Sequence, residues 1–364
     1  MTTRIHYNTM TRIDELRSKF DSKGIDAFLV RKLPNVRYLS GFSGSAGTLL
    51  VTKDRNFFIS DFRYKTQSAT EVYKDFEIII FVQNSLNFLK DLIPQNGIQS
   101  IGFEADYVTF AEANALIRDY PETAFVPMEN TVESITVRKS DSEIELTRQA
   151  VEITDKVFLE ILNVIKPGMT EKQVSAHISF FHKMFGADGD SFDAIVASGE
   201  RSAFPHARPT DRTIREGELV KLDFGCTYSG MKSDMTRTIA IGKVPDECLN
   251  IYEIVREAQR RAIESVKAGM PARAVDAVAR GFIAEKGYGN NFGHGLGHGL
   301  GYDIHEKPAL NERSDYVLEE NNIITIEPGI YVEGLGGVRI EDDVIVTKEG
   351  CEILNKSPKE LIVL

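Results

Sequence analysis

An internal repeat constrains the fold of the second part of the chain more than any other feature. The segment IKPGMTEKQVSA at 165–176 resembles VKAGMPARAVDA at 266–277, which lies 101 residues further on. In both places a long amphipathic helix precedes the segment, a second helix follows, and a predicted hairpin comes next, at 219–241 and 323–346. A helix–helix–hairpin unit used twice predicts an α+β domain with pseudo-twofold symmetry. The alternative is a chance similarity between two helix starts.

Capping patterns indicate where the helices of the first repeat begin. Glu145 follows Ser142 by three residues, and Gln173 follows Thr170 in the same way. In this pattern the two side chains satisfy free backbone N–H groups at a helix start. We therefore expect one long helix from Ser142 and a second helix from Thr170.

The first part of the chain has a different pattern, because short apolar strands alternate with helices. Such alternation is typical of an α/β domain. We expect a tail at 1–10, an N-terminal α/β domain at 11–138, and the repeat-containing domain at 139–364. A first helix is predicted from Thr11, further helices near 85–93 and 109–119, and strands at 25–30, 48–52, 56–60, 76–82, 98–103 and 124–128.

Composition limits the partners of the chain. Its 43 basic and 54 acidic residues give a formal net charge of −11, which offers no electrostatic footprint for nucleic acid or an anionic membrane. No apolar run approaches the roughly 20 residues of a membrane span. The cysteines, Cys226, Cys248 and Cys351, are odd in number and form no CxxC pattern. We therefore expect a reducing cytoplasm rather than a disulfide framework.

Both predicted hairpins contain two acidic residues placed symmetrically about a turn. Asp223 and Asp234 are centred on 228–229, and Glu327 and Glu341 are centred on the turn EGLGG. With symmetric turns, the members of each pair are expected to face each other on neighbouring strands. Like charges in that position destabilise a sheet, so a positive species is expected between them. Four carboxylates favour two divalent cations; the alternative is that some of the acids face water.

A glycine-rich segment, GHGLGHGLGYDIHE at 293–306, contains three of the seven histidines: His294, His298 and His305. Its alternate glycines prevent a stable helix and let the backbone approach neighbouring groups closely. Neutral imidazole is a common metal ligand and proton carrier. The segment is therefore a candidate source of nitrogen donors, and the alternative is a flexible tract that binds metal ions only adventitiously.

Five motifs, LDFG, SDMTRT, GHGLGHGLG, TIEPGIY and GVRIEDD, occur in that order. With them the chain resembles, over about 11–364, the Xaa-Pro peptidases of the pita-bread metallopeptidase family, the aminopeptidase P and prolidase group. The resemblance implies an α/β N-terminal domain, a pita-bread catalytic domain, and the metal ligands Asp223, Asp234, His298, Glu327 and Glu341. In the family pattern Asp234 and Glu341 contact both ions, Asp223 contacts one, and His298 with Glu327 the other.

The resemblance also implies how a peptide is hydrolysed, by a hydroxide that bridges the two ions. Glu327 is expected to be the general acid and base as well as a ligand. His305 and His206 are expected to stabilise the tetrahedral intermediate, and His294 is expected to lie along the proline of the substrate. None of these three histidines is an implied metal ligand.

Alternation along the strands places two more residues on the metal face. Arg339 is two residues from Glu341, and it is expected to orient the carboxylates. Tyr331 is four residues from Glu327, and it either contributes to the site or packs within the strand. Cys226 has the opposite parity and is expected to pack on the other face of the sheet.

The implied ligands, four oxygen donors and one nitrogen, form a hard set that favours Mn²⁺, with Co²⁺, Zn²⁺ and Fe²⁺ left open. The expected activity is that of an Xaa-Pro aminopeptidase, which removes the first residue from a peptide substrate with proline at position two. Prolidase activity on Xaa-Pro dipeptides is the alternative. The N-terminal domain disfavours methionine aminopeptidase chemistry, and the complete ligand set disfavours a non-catalytic peptide-binding protein. The resemblance further implies a homodimer.

Overall fold

The computed structural model describes residues 9–81 and 86–364, which divide into two compact units. One unit ends at Thr136 and the other runs from Val137 to Leu364, so the predicted domain boundary lies two residues too late. The first helix begins at Thr9, which makes the predicted tail too long by two residues. The first eight residues of that tail lie outside the described part of the chain.

The N-terminal unit is an α/β structure built on one mixed sheet. Its strands are β1 (Ala27–Val30), β2 (Thr48–Thr52), β3 (Asn56–Asp61), β4 (Glu77–Phe81), β5 (Ser100–Glu104) and β6 (Ala124–Met128). Its helices are α1 (Thr9–Arg17), α2 (Phe20–Lys23), α3 (Leu33–Ser40), α4 (Lys65–Glu71), α5 (Leu89–Gln95), α6 (Phe110–Asp119) and α7 (Glu133–Thr136). The sheet order is β4-β3-β2-β1-β5-β6. All six predicted strands are present, each within two residues of its predicted ends where the structure describes them.

Helix α3 was not apparent from the sequence, because its N-terminus is capped from another element. The helix has no side-chain cap of its own. Instead, the carboxylate of Glu104 on β5 accepts hydrogen bonds from the backbone N–H groups of Arg31 at 2.6 Å and Lys32 at 2.8 Å. A cap that comes from about 70 residues away leaves no capping pattern in the local sequence, and Pro34 in the first turn is the one local signal of a helix start.

The second unit contains the helix–helix–hairpin arrangement twice, as the internal repeat predicts. Its helices are α8 (Asp141–Val164), α9 (Glu171–Met184), α10 (Asp246–Ser265) and α11 (Ala272–Glu285). Between α9 and α10 lie β7 (Gly189–Asp190), β8 (Ile195–Ser198), β9 (Glu218–Phe224), β10 (Cys226–Tyr228), β11 (Met231–Lys232) and β12 (Met235–Ile241). After α11 come β13 (Gly297–Gly299), β14 (Glu306–Leu310), β15 (Ile323–Ile326), β16 (Gly329–Val332), β17 (Gly336–Arg339), β18 (Asp342–Val346) and β19 (Cys351–Ile353).

The helix starts of the first repeat agree in part with the capping patterns. Thr170 and Gln173 form the predicted capping box of α9. The N-cap of helix α8, however, lies two residues earlier than predicted, because Ser140 caps the helix and pairs with Glu143. The sequence SDSEIE contains two overlapping cap patterns, and the predicted one at Ser142 lies inside the helix. Among the described helices, none is long and apolar enough to cross a membrane.

The apolar cores of the two halves determine which face of each hairpin is free for a site. Val220 and Leu222 on β9 pack into the core of the first half, and Ile324 and Ile326 on β15 pack into the core of the second. Because strand side chains alternate between faces, the residues between them point the other way. Lys221 and Asp223 therefore lie on the opposite face of β9. On β15, Thr325 lies on the opposite face, and Glu327 follows it with the same parity just after the strand.

The first hairpin has a different register from the one predicted. Its turn is Ser229-Gly230, where both residues have positive φ (48° and 91°), as a two-residue hairpin turn of this type requires. This turn lies one residue later than predicted, and a shift of one residue moves the opposing residue by two. Asp223 therefore faces Thr236. Asp234 lies just before the first residue of β12 and is the diagonal neighbour of Asp223 on the same face.

The second hairpin has the predicted register. Ile326 pairs with Asp342 and Gly329 pairs with Arg339, so both ladders are centred on Gly334. Glu327 and Glu341 fall opposite each other in the interval between the two ladders. The sequence expectation of an opposed pair is therefore confirmed for the glutamates and was wrong for the aspartates.

Candidate metal centre

A cavity of about 310 Å³ opens on the free faces of the two hairpins. It collects nine of the ten residues that the sequence indicated for the site. They are the five implied metal ligands Asp223, Asp234, His298, Glu327 and Glu341, the histidines His206, His294 and His305, and Arg339. The tenth, Tyr331, lies behind the wall of the cavity, where it contacts two of these residues.

The donor atoms at the centre of the cavity are close enough to share a cation. One donor atom each from Asp234, His298 and Glu341 lie within 4.8 Å of one another. His298 Nε2 is 3.7 Å from Asp234 Oδ2 and 3.4 Å from Glu327 Oε1. Its Nδ1 contacts the carbonyl oxygen of Gly299 at 3.0 Å, which leaves Nε2 as the atom that faces the carboxylates.

The carboxylates strongly disfavour one another as anions in the absence of a cation. Burial, together with the charge of Glu341, raises the pKa of Asp234 well above its usual range. Burial and the charges of Glu327 and Asp223 do the same to the pKa of Glu341, and burial raises the pKa of Glu327 to about 7. Asp234 Oδ1 is buried and has no hydrogen-bond partner among the described residues. Four oxygen donors and one imidazole nitrogen with these properties fit divalent metal ions.

Two buried threonines orient the ligands, and the sequence analysis did not identify them. The hydroxyl of Thr236 donates to Glu341 Oε2 at 2.6 Å. The hydroxyl of Thr325 donates to Glu327 Oε1 at 3.2 Å and accepts the backbone N–H of His298 at 3.0 Å. Each threonine is two residues along the chain from a ligand, so the same parity argument that places Arg339 on this face could have found them.

Asp343 positions a ligand from the opposite hairpin. Its Oδ2 accepts the backbone N–H of Asp234 at 2.9 Å, although the two residues are 109 positions apart. Asp343 is fully buried, and its own N–H donates to Asn355 Oδ1 at 2.7 Å. The contact connects the two halves of the repeat at the site, and it depends on tertiary structure that the sequence does not reveal.

Arg339 and Tyr331 connect an acid on one hairpin with a histidine near the other. The Arg339 guanidinium forms an ion pair with Asp223 and donates from Nη1 to the Tyr331 hydroxyl at 2.9 Å. The same hydroxyl lies 2.9 Å from His294 Nε2. Arg339 thus has the expected carboxylate contact. For Tyr331, the alternative of mere strand packing is disfavoured, because its hydroxyl touches two residues of the cavity wall.

The cavity histidines are in environments that favour their neutral forms. Burial, with the nearby Arg339 charge, lowers the pKa of His294 to about 3. Burial also lowers the pKa of His206, His298 and His305. The rings of His298 and His305 meet edge to face, with centroids 4.4 Å apart. Neutral imidazoles can each donate one hydrogen bond and accept another at this site.

Cys226 does not belong to the metal centre. Its thiol is buried on the opposite face of the sheet and donates to the carbonyl oxygen of Ala150 at 3.2 Å. Burial raises its pKa to about 11, so it is not a thiolate ligand at neutral pH. The three cysteines are unpaired in this structure.

Comparison with known families decides the family of the chain. The model of metallopeptidase family M24 matches residues 145–348, and that of the creatinase/prolidase N-terminal domain matches residues 12–136. This chain belongs to metallopeptidase family M24. This membership confirms the resemblance to the Xaa-Pro peptidase group and the expected α/β and pita-bread domains. It also confirms that the chain is a metallopeptidase, a class that uses divalent metal ions.

The M24 relatives are similar to this chain over nearly its whole length. An Xaa-Pro dipeptidase from Bacillus anthracis has a structure with a TM-score of 0.95 and 46% identity, which covers 98% of this chain and 100% of that one. The Xaa-Pro dipeptidase of Pyrococcus horikoshii is 37% identical over 96% of this chain and 98% of its own length. An X-Pro aminopeptidase structure from Thermotoga maritima has a TM-score of 0.88 and 38% identity, over 95% of this chain and 100% of that one.

Proposed function

We propose that this M24 protein is a metal-dependent Xaa-Pro dipeptidase, or prolidase, that hydrolyses the bond before proline. The observation that supports the proposal is the convergence of five suitable donors in one cavity of a chain that matches Xaa-Pro dipeptidases from end to end. The sequence analysis put the aminopeptidase activity first. The named relatives favour its alternative, so we place the dipeptidase first. Xaa-Pro aminopeptidase activity is the second candidate, because the Thermotoga maritima relative has that name.

The proposed cofactor is a pair of divalent ions, with Mn²⁺ preferred and Co²⁺ or Zn²⁺ as alternatives. Asp223, Asp234, His298, Glu327 and Glu341 would hold it. When bound, such a pair supplies a nucleophile at neutral pH and polarises the scissile carbonyl. The hard donor set supports Mn²⁺ over a metal that prefers thiolates.

The remaining residues would bind the substrate and move the proton. The carboxylate of Glu327 would accept a proton from the attacking water and then donate it to the ring nitrogen of the leaving proline. His305 and His206 would donate hydrogen bonds to the developing oxyanion, and His294 would line the proline side. Arg339 would hold Asp223 in place through their ion pair. The bond before proline has no N–H, so an enzyme that must bind the N–H of the scissile bond could not use it. A site that acts on the carbonyl group does not need that contact, and it can therefore accept proline.

Replacement of His305 by alanine is expected to lower kcat without loss of metal. Because His305 lines the cavity beside His298 and is not assigned as a ligand, the loss should be roughly 10²–10³-fold, the usual cost of one oxyanion donor. His298→Ala is the matched variant and should impair metal binding itself. Metal analysis of both purified variants, beside their steady-state kinetics, checks the assignment. Metal loss in His305→Ala with full retention in His298→Ala would reverse the two roles.

Substrate length separates the two candidate activities. We expect kcat/KM for an Xaa-Pro dipeptide to exceed that for the same sequence extended by several residues. An Xaa-Ala dipeptide is the control, and it should be cleaved much more slowly. A clear advantage for the longer peptide would favour the aminopeptidase, and equal cleavage of the Xaa-Ala and Xaa-Pro bonds would contradict the proline preference.

The homodimer and the cytoplasmic location stay predictions of the sequence analysis. The dimer rests on the family resemblance alone. The reducing compartment is supported by three cysteines that are unpaired here.

A further inference from the structure

Lys221 is a fully buried lysine whose polar contacts among the described residues are carbonyl oxygens rather than carboxylates. Its exposed fraction is 0%. Its Nζ donates to the backbone oxygens of Ser202 at 3.1 Å, Phe204 at 2.7 Å and Pro205 at 3.3 Å. Three backbone carbonyls therefore surround the side-chain amino group. Lysine is almost never fully buried unless paired, and the chain therefore keeps a costly group at this position.

All three carbonyls belong to the loop that presents His206 to the cavity. This segment, which we call the His206 loop, comprises residues 199–207 between β8 and β9. It begins with a 3-10 turn at Gly199–Ala203 and continues to His206, which lines the cavity. Pro205, whose carbonyl contacts Nζ, directly precedes His206. Lys221 thus restrains the backbone immediately before the histidine.

The same loop is attached to the second hairpin at two further points. Arg339 Nη1 donates to the carbonyl of Pro205 at 3.1 Å, and the Ser202 hydroxyl accepts the backbone N–H of Gly337 at 2.8 Å. Lys221 also lies over the ring of Tyr331, with Nζ 4.9 Å from its centroid. The amino group therefore lies between β9, the His206 loop and the hairpin that contains Glu327 and Glu341.

Glu171 holds the chain on both sides of the His206 loop, and it does so independently of Lys221. The buried carboxylate of Glu171 accepts hydrogen bonds from the N–H groups of Ser198 at 2.9 Å and Thr210 at 3.0 Å, and it pairs with Arg201. Loss of Lys221 would leave these contacts in place. The consequence of removing the amino group should therefore be local, at the segment around Pro205, rather than a general loss of structure.

We propose that Lys221 is a positioning residue of the peptidase site and acts through His206. By binding three carbonyls of the His206 loop, it sets the distance between the imidazole of His206 and the scissile carbonyl. The expected kinetic effect rests on the proposed function. The contacts between Lys221 and the three carbonyls do not depend on it.

Lys221→Met replaces the side chain and its amino group by an apolar side chain of similar length. We expect kcat to fall roughly 10–100-fold, the range for partners that orient a reacting group, with unchanged metal content. Lys172→Met, at an exposed lysine whose Nζ pairs with Asp211, is the matched control and should leave kcat unchanged. Wild-type kcat in Lys221→Met would overturn the proposal.

A double-mutant cycle with His206→Ala separates positioning from general destabilisation. If Lys221 acts through His206, the double variant should be no slower than His206→Ala alone, because the histidine that the lysine positions is already absent. If Lys221 only stabilises the fold, the two losses in kcat should multiply. A multiplicative result would therefore contradict the proposal.

Amide hydrogen exchange of the metal-free protein tests the contact without any activity. Amides of the His206 loop should exchange faster in Lys221→Met than in wild type, whereas those of α10 and α11 should not change. Unchanged exchange in the loop would contradict the proposal. If the wild type cleaves no Xaa-Pro peptide, the proposed function fails, and this measurement still decides the role of Lys221.

Lys221→Gln, which keeps two N–H donors, repeats the same experiments if Lys221→Met does not fold. The expected result is a smaller loss of kcat and the same non-additivity with His206→Ala. Failure of both variants to fold would assign Lys221 a purely structural role and overturn the proposal.

Discussion

Removal of divalent metal ions should abolish peptidase activity, and addition of Mn²⁺ or Co²⁺ should restore it. The site holds four carboxylates and one imidazole nitrogen that faces them, and burial raises the pKa of Asp234 and Glu341 well above the usual range when no cation is present. Metal catalysis of this kind contributes several kcal/mol, which corresponds to a loss of about 10³-fold or more. The measurement is peptide hydrolysis after exhaustive chelation, with metal content determined on the same sample.

The chelation experiment has a direct contradiction. Full activity in a preparation shown to be metal-free would show that the reaction does not require a metal ion. Better restoration by Zn²⁺ than by Mn²⁺ would change the identity of the metal and leave the assignment of the ligands intact.

Asp234→Asn and Glu341→Gln should each lose both ions and lower kcat/KM by more than about 10³-fold, well beyond the ~10–100-fold typical of residues that only orient a ligand. Both side chains contribute to the central group of donor atoms, and both are buried. Metal stoichiometry of the purified variants is the measurement. Glu333→Gln, at an exposed acid in the turn of the same hairpin, is the matched control and should keep both metal and activity.

The stability of the same variants without metal gives an independent check. A carboxyl whose pKa is raised by folding destabilises the folded state when it is ionised, so stability falls as pH rises above the ordinary carboxyl pKa. A neutral amide removes that cost. Metal-free Asp234→Asn should therefore melt at a higher temperature than metal-free wild type at pH 8, and the difference should shrink at pH 5. A lower melting temperature for metal-free Asp234→Asn than for metal-free wild type at pH 8 would contradict the assignment.

The two hairpins explain how much of the site could be predicted from local sequence. The glutamate pair has the expected register because both of its ladders are centred on Gly334. The aspartate pair does not, since Ser229 adopts positive φ and moves the turn by one residue. The dipeptide Ser229-Gly230 is itself typical of turns, so this signal could have placed the turn correctly. The face of the sheet was nevertheless right, because a two-residue change of partner preserves parity.

The supporting contacts divide into those that strand parity could reveal and those that it could not. Thr236 and Thr325 are two residues from ligands and could have been placed on the metal face from the pattern alone. Asp343 and Lys221 are also two residues from ligands, so parity places them on the metal face, but it does not reveal their partners, Asp234 and the His206 loop. Contacts of this kind depend on how separate segments pack, and no local pattern in the sequence marks them.

Anomalous X-ray diffraction from Mn²⁺-loaded crystals would show directly whether five side chains of this chain hold a pair of divalent ions. We expect two anomalous peaks in the cavity, both in contact with Asp234 and Glu341, with Asp223 on one ion and His298 with Glu327 on the other. The absence of peaks from this cavity in fully loaded, active crystals, or ions held by other residues, would contradict this assignment.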